Sequence, residues 1–122
     1  MKHEFRNGLT VEAHRHANGG GWVADTAAVA ALAYVEATAE VHGNAYVGPY
    51  ARIEMFARVT EDAKVSGQAI VTRSGLVRGR SRVRGYAVIT DVALISGQAV
   101  ITGTAFVGGK RHIRGATVIR SA

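Results

Sequence analysis

From residue 21 to the end of the chain, hydrophobic and polar residues repeat with a period of six. Cut from Gly21 into seventeen six-residue units, the sequence has Val or Ile at the third position of every unit, from Val23 to Ile119. The first position is Ala in twelve units, and the fifth is Gly in eight. The fourth position is polar in thirteen units and the second is charged or His in six, and we interpret this as a polar, β-branched, polar alternation that predicts a short strand whose middle side chain is buried.

The spacing of these strands predicts a turn after every unit. A Gly at the fifth position supplies the positive φ that a sharp corner often needs, and an Ala at the first position is small enough to lie inside it. A period of six fits no helix, and hairpins would need turns only every ~8 to 12 residues. The pattern therefore predicts a solenoid of parallel strands about 4.8 Å apart.

This unbroken pattern over residues 21–122 resembles the hexapeptide-repeat family. The resemblance implies a left-handed parallel β-helix in which three units make one triangular coil. The left hand comes from the resemblance alone, since right-handed crossovers are the general rule for parallel strands. The predicted fold class is thus all-β, a left-handed parallel β-helix of about six triangular coils.

Residues 1–20 lie outside the repeat and predict an N-terminal β-hairpin. Asn7 and Gly8 form a turn pair, and Phe5, Leu9 and Val11 alternate around it. Because a solenoid end exposes unpaired backbone groups, we expect the hairpin to cap the first coil. Residues 19–23, Gly-Gly-Gly-Trp-Val, resemble the entry into the repeats of small phage- or prophage-encoded proteins of unassigned role.

Catalysis is the activity that the family resemblance implies first, because most characterised members are acyltransferases. Their active sites combine a His base with a loop that interrupts the repeat, whereas here no loop interrupts the seventeen units. His42 and His112 are predicted on one face, about 19 Å apart along the axis, and are interpreted as exposed. His14 and His16 are interpreted as solvated strand residues. We expect no catalytic residue, metal site or cofactor.

The outward side chains of the third face are assigned by counting the units in threes. Their second positions carry four large apolar residues, which predict a homo-oligomer interface because a contiguous apolar stripe usually marks a contact. These residues are Tyr34, Ile70, Val88 and Phe106. A trimer is favoured by the resemblance, and a dimer is the next choice. Four corner residues either extend this contact or cover a corner: Tyr50, Met55, Phe56 and Tyr86. The alternative for the stripe is a mildly apolar surface without a partner.

Composition limits the remaining classes of function. The 122 residues include no Cys, which excludes disulfides and thiolate metal sites. No apolar run approaches the ~20 residues of a membrane span, and the N-terminus lacks the apolar segment of a signal peptide. We therefore expect a cytoplasmic protein without a membrane partner. An ice-binding surface would need a regular Thr ladder, and only Thr72 and Thr90 stack.

Charge is distributed unevenly along the chain. Residues 1–62 carry five basic and eight acidic residues, whereas residues 63–122 carry ten basic and one acidic, for a total of +6. Such a basic half attracts nucleic acid, nucleotides or acidic proteins. The alternative is a solvated basic face that only keeps the protein soluble. The predicted anion-binding residues are Lys64, Arg73, Arg78, Arg80, Arg82 and Arg84. The sequence favours a non-catalytic, self-assembling protein that binds an anionic partner, and the alternative is an acyltransferase with an active site between subunits.

Overall fold

The computed structural model describes residues 1–121, and within them it contains nineteen β-strands and no helix. The hairpin is formed by β1 (Lys2–Glu4) and β2 (Thr10–Arg15). The repeat supplies β3 (Trp22–Ala24), β4 (Ala28–Val29), β5 (Tyr34–Val35), β6 (Glu40–Val41), β7 (Tyr46–Val47), β8 (Arg52–Ile53), β9 (Arg58–Val59), β10 (Lys64–Val65), β11 (Ile70–Val71), β12 (Leu76–Val77), β13 (Arg82–Val83), β14 (Val88–Ile89), β15 (Leu94–Ile95), β16 (Val100–Ile101), β17 (Phe106–Val107), β18 (His112–Ile113) and β19 (Val118–Ile119).

Every third strand of the repeat stacks in parallel and in register, which gives a solenoid with three faces. Face 1 contains β3, β6, β9, β12, β15 and β18; face 2 contains β4, β7, β10, β13, β16 and β19; face 3 contains β5, β8, β11, β14 and β17. The predicted all-β parallel solenoid is confirmed. The seventeen strands make five complete turns and two further sides, slightly fewer than the six coils predicted.

The interior follows the six-residue pattern. The third-position Val and Ile side chains from Val35 to Val107 are fully buried, and the first-position Ala side chains line the inside of the corners beside them. Ser81 occupies one of these Ala positions and is also fully buried. Its hydroxyl donates a hydrogen bond to the carbonyl oxygen of Arg78, 2.7 Å away, so the polar group is not left unpaired in the core.

The corners adopt the backbone conformation that the fifth-position glycines predict. Gly67 has φ of 64°, and a Cβ there would lie 2.8 Å from the backbone nitrogen of Gly85 in the next coil. Four other corners use a non-glycine residue at positive φ: Met55, Glu61, Arg73 and Asp91. The Glu61 and Asp91 carboxylates offset this backbone cost, because they accept hydrogen bonds from the backbone N–H groups of Gly79 and Gly109.

The N-terminal segment covers the first coil on two faces. Strand β2 pairs antiparallel with β3 at the edge of face 1, and residues 16–21 cross to face 3, where Gly20 pairs with Glu36. The Gly21 N–H donates to the Val35 carbonyl oxygen at 2.9 Å. A Cβ at Gly19 or Gly21 would collide with Val35, which explains the glycine run before Trp22.

The hairpin also folds over the outside of face 1, which the sequence did not predict. The His3 ring stacks on Trp22 with centroids 4.1 Å apart, and Phe5 is buried against the second small core of Ala13 and Ala24. Leu9, predicted to share the apolar side of the hairpin, is 42% exposed because it lies at the turn.

Candidate anion-binding surface

Four arginines occupy consecutive outward positions of one coil, and we call Arg78, Arg80, Arg82 and Arg84 the arginine belt. Their backbone N–H groups all donate to the next coil, at 2.7–2.9 Å. Arg78 follows β12 on face 1, Arg80 lies at the next corner, and Arg82 and Arg84 lie on face 2. Because alternate residues of an extended chain point to the same side, Arg82 and Arg84 leave face 2 together, about 6.6 Å apart along the chain. The arginine belt runs from the end of β12, around one corner, to the end of β13.

The arginine belt has no ion-pair partner among residues 1–121. The ion pairs of the described chain that involve arginine use Arg6, Arg52 and Arg73. Near the arginine belt, Glu61 accepts the backbone N–H of Gly79, and Asp62 lies beside Arg80 and Arg82 but forms no ion pair within residues 1–121. The guanidinium groups of the arginine belt therefore retain their donors for an anion from outside the chain.

Two shallow depressions lie beside Arg80 and Arg82. One, of about 200 Å³, is lined by Asp62, Lys64, Arg80 and Arg82. The other, of about 240 Å³, is lined by Arg80, Arg82, Gln98 and Val100. Both are smaller than the ~300–1,000 Å³ of a typical pocket for a drug-sized ligand. They suit a phosphate- or carboxylate-sized group, with the Asp62 carboxylate opposing an anion in the first depression.

The structure brings five of the six predicted anion-binding residues to one corner of the prism, with Arg78 on face 1 and the others at the corner or on face 2. Lys64 pairs with Arg82 in register, so it lies one coil below the arginine belt on face 2. Arg73 lies at the corner between faces 3 and 1, where its Nε is 3.7 Å from Asp91 Oδ1. Counting units in threes also places Arg73 at the corner between faces 3 and 1, away from the arginine belt.

The residues predicted as an interface stack on face 3 as expected, and we call Tyr34, Ile70, Val88 and Phe106 the apolar ladder. Arg52 interrupts it in the strand register between Tyr34 and Ile70. The Arg52 guanidinium lies 4.7 Å from the Tyr34 ring centroid and contacts Glu54. A continuous apolar surface therefore extends from Ile70 to Phe106.

A second apolar column follows the corner between faces 2 and 3. Its members are the sixth-position residues Leu32, Tyr50 and Tyr86, which are 65%, 65% and 63% exposed, and Gln68 occupies the position between Tyr50 and Tyr86. Each lies two residues before the start of a face 3 strand. Tyr50 and Tyr86 were expected either to extend the contact or to cover a corner, whereas Leu32 was missed although it occupies the same unit position. Met55 and Phe56 lie on the opposite side of face 3, where Phe56 contacts Arg6.

The interpretation of His42 and His16 as exposed was wrong. His42 is only 3% exposed beneath Phe5, whose ring centroid is 4.7 Å away, and its Nε2 has no hydrogen-bond partner. Burial is the largest cause that lowers the pKa of His42 below its ordinary 6.5. His16 is 8% exposed, and its Nε2 contacts the Ala33 carbonyl oxygen at 2.8 Å.

Beside His42, Glu40 is a buried carboxylate that holds the hairpin in place. It is 6% exposed, and both its oxygens accept the Arg6 backbone N–H at 3.2 Å. The Arg6 Nε is 3.4 Å from Oε1, and His3 Nε2 is 3.9 Å from Oε2. These contacts between the hairpin and β6 show that the acidic half of face 1 is occupied by the chain itself.

His112 remains exposed, as predicted, on the same face as His42 but at the other end. Its Nε2 lies 2.9 Å from the hydroxyl oxygen of Ser96. Within residues 1–121, no three His, Asp or Glu side chains converge on a position where they could hold a metal ion.

The described part of the chain contains no helix long and apolar enough to cross a membrane. Comparisons of the chain with family models, with curated proteins and with solved structures found no significant match.

Proposed function

We propose that the protein is a non-catalytic, self-assembling interaction protein that binds an anionic partner through its basic C-terminal half. The observation that carries the proposal is the arginine belt, in which four exposed or half-buried guanidinium groups without ion-pair partners among residues 1–121 follow one coil around the corner between faces 1 and 2. Lys64 extends the same surface by one coil. Four clustered cations raise the local positive potential and attract polyanions such as nucleic acid.

The proposal also includes the family to which the repeat belongs and the hand of its coils. A hexapeptide-repeat protein with left-handed coils is supported by the seventeen-fold Val/Ile column and by the parallel register of every third strand. A phage or prophage origin is supported by the resemblance of residues 19–23 to the entry into the repeats of small phage- or prophage-encoded proteins. The cytoplasmic location belongs to the same proposal.

Self-assembly is supported by the apolar surface on face 3. The apolar ladder and the corner column of Leu32, Tyr50 and Tyr86 are adjacent and expose large apolar side chains. An exposed apolar surface of this kind is a typical protein contact. The proposed partner is a second copy of the chain, with a trimer as the favoured assembly.

Charge reversal of the arginine belt tests anion binding. Affinity for a fluorescently labelled DNA duplex of about 20 base pairs is measured by anisotropy at several salt concentrations. Each phosphate contact contributes about −0.9 to the slope of log K against log salt, so Arg82→Glu with Arg84→Glu should weaken binding strongly and make the slope shallower by about two.

The matched control reverses Lys2 and Lys110, which are both exposed and lie away from the arginine belt. This double variant has the same net charge as the test variant. Equal loss of binding in the two variants would contradict the proposal. Turnover of acyl-CoA that is insensitive to the Arg82/Arg84 change would instead favour the acyltransferase.

A further inference from the structure

A second basic arrangement lies on face 1, where Ser96 is flanked by two arginines in successive coils. Strands β12, β15 and β18 stack in register, and Arg78, Ser96 and Arg114 each directly follow one of them. The backbone N–H of Arg78 donates to the Ile95 carbonyl oxygen, and that of Ser96 donates to Ile113. Neighbouring strands are about 4.8 Å apart, so the short Ser96 side chain forms a notch between two long cationic side chains.

His112 supplies a further polar group to this notch. It lies one coil above Leu94, and Ser96 follows Leu94 by two residues in the chain. The His112 ring reaches across to Ser96, with Nε2 2.9 Å from the hydroxyl oxygen. A hydroxyl and an imidazole are thus already held in contact at the centre of the notch.

No carboxylate of the described chain neutralises these side chains. Arg78, Arg114 and His112 take part in none of the ion pairs found among residues 1–121. The two acids at neighbouring corners are held by backbone N–H groups, Glu61 by Gly79 and Asp91 by Gly109. The notch therefore offers hydrogen-bond donors and positive charge to an external anion.

We propose that Arg78, Ser96, His112 and Arg114 form a discrete binding site for a phosphate dianion, either free phosphate or the phosphate group of a monoester. Guanidinium groups can each donate two parallel hydrogen bonds to such an anion, and the Ser96 hydroxyl can donate one while its oxygen accepts the Nε2–H of His112. A tetrahedral dianion offers more acceptors than a carboxylate and fits this larger donor set. The site rests on the proposed function because Arg78 belongs to the arginine belt, but its other three residues do not.

Face 2 provides a natural control for this site. Arg84, Thr102 and Arg120 occupy the equivalent positions, again with a hydroxyl residue between two arginines. The residue equivalent to His112 is Val118 on that face. Comparison of the two columns therefore isolates what the Ser96–His112 pair adds to a pair of arginines.

The test follows the backbone amide signals of the ¹⁵N-labelled full chain during titration with inorganic phosphate, phenyl phosphate or acetate at constant ionic strength. Both phosphates should give saturable shifts at Ser96, His112 and Arg114, whereas acetate should not. Arg114→Met should weaken phosphate binding about tenfold or more, and Ser96→Ala at least about threefold, because each removes a hydrogen bond to a charged group. Thr102→Ala and Arg120→Met should leave it unchanged.

The outcomes separate the site from the proposed function. Tighter binding of phenyl phosphate assigns the site to a monoester, and tighter binding of inorganic phosphate assigns it to the free ion. The absence of saturable shifts at Ser96, equal binding of acetate, or equal loss in the face 2 variants would overturn the site. If DNA binding still depends on Arg82 and Arg84 in that case, only the site fails. Phosphate binding without DNA binding would overturn the proposed function instead.

Discussion

The two ends of face 1 have the same buried inner side chains, but their outward side chains differ: they are covered at one end and exposed at the other. At the N-terminal end, the outward residues Glu40 and His42 are buried beneath the hairpin. At the C-terminal end, His112 occupies the same unit position as Glu40 and is exposed between arginines. The repeat dictates the interior, while a segment outside the repeat decides which outer positions remain available to a partner. One half of the face is thus covered by the chain itself, and the other half remains exposed.

A charge placed in the interior should destabilise both halves of face 1 equally, and we expect this change to have the largest effect on stability. Val65→Asp places an unpaired carboxylate in a fully buried position and should destabilise the protein by about 3–5 kcal/mol or more. Val41→Asp, beneath the hairpin-covered half, should cost as much. Chemical denaturation measures both, with the exposed Lys64→Asp as the tolerated neighbour. Similar damage from Lys64→Asp and Val65→Asp would refute the six-residue register.

A change that weakens the hairpin should affect the N-terminal half of face 1 and leave the C-terminal half unchanged. Phe5 is 1% exposed in the small core outside the prism, so Phe5→Ala should weaken the hairpin contact by about 3 kcal/mol. Hydrogen exchange should then accelerate in β1 and β2 but not in β12 to β18. Leu9→Ala, at an exposed position, serves as the control. Uniform acceleration along the chain would show that the hairpin and the solenoid unfold together.

Acid should loosen the hairpin through His42. Burial lowers the pKa of its imidazole, an effect reinforced by Arg58 and Arg6 and opposed by Glu40 and Glu61. The open state therefore binds more protons, and the closed hairpin loses stability as the pH falls below 6.5 until the lowered pKa is passed. His3 and Glu40 also face this cluster, with His3 Nε2 3.9 Å from Glu40 Oε2.

Hydrogen exchange of β1 across this pH range checks the effect of His42. His42→Leu should flatten the pH dependence, whereas His112→Gln, at the open end of the face, should leave it unchanged. An unaltered pH dependence in His42→Leu would remove His42 as its cause.

Substitutions that disrupt self-association should cause the smallest change in stability. Val88→Lys or Phe106→Lys should lower the mass measured by light scattering while the β content stays constant, because both add charge to the apolar ladder. Val100→Lys makes the same kind of change at the equivalent position of face 2 and should keep the assembly intact. A wild-type protein that is monomeric at tens of micromolar would contradict the interface.

Most of the fold could be predicted from the sequence because the repeat determines both the strand register and the inward side chains. The stacking of Lys64, Arg82 and Val100, and that of the apolar ladder, follow from counting units in threes. His42 and His16 were misjudged because residues 1–20 carry no repeat that indicates where they fold. Proximity in sequence likewise grouped Arg73 with the arginine belt, although one coil contains three corners that point in different directions.

The most direct test of the central claim is to map where a polyanion binds. A DNA duplex titrated into the ¹⁵N-labelled protein should shift the amide signals of residues 78–84 and of their neighbours around Lys64 and Gln98. Signals from the hairpin and from β5 to β8 should stay in place. Shifts centred on the hairpin-covered half, or spread evenly over all three faces, would contradict the assignment of anion binding to the arginine belt.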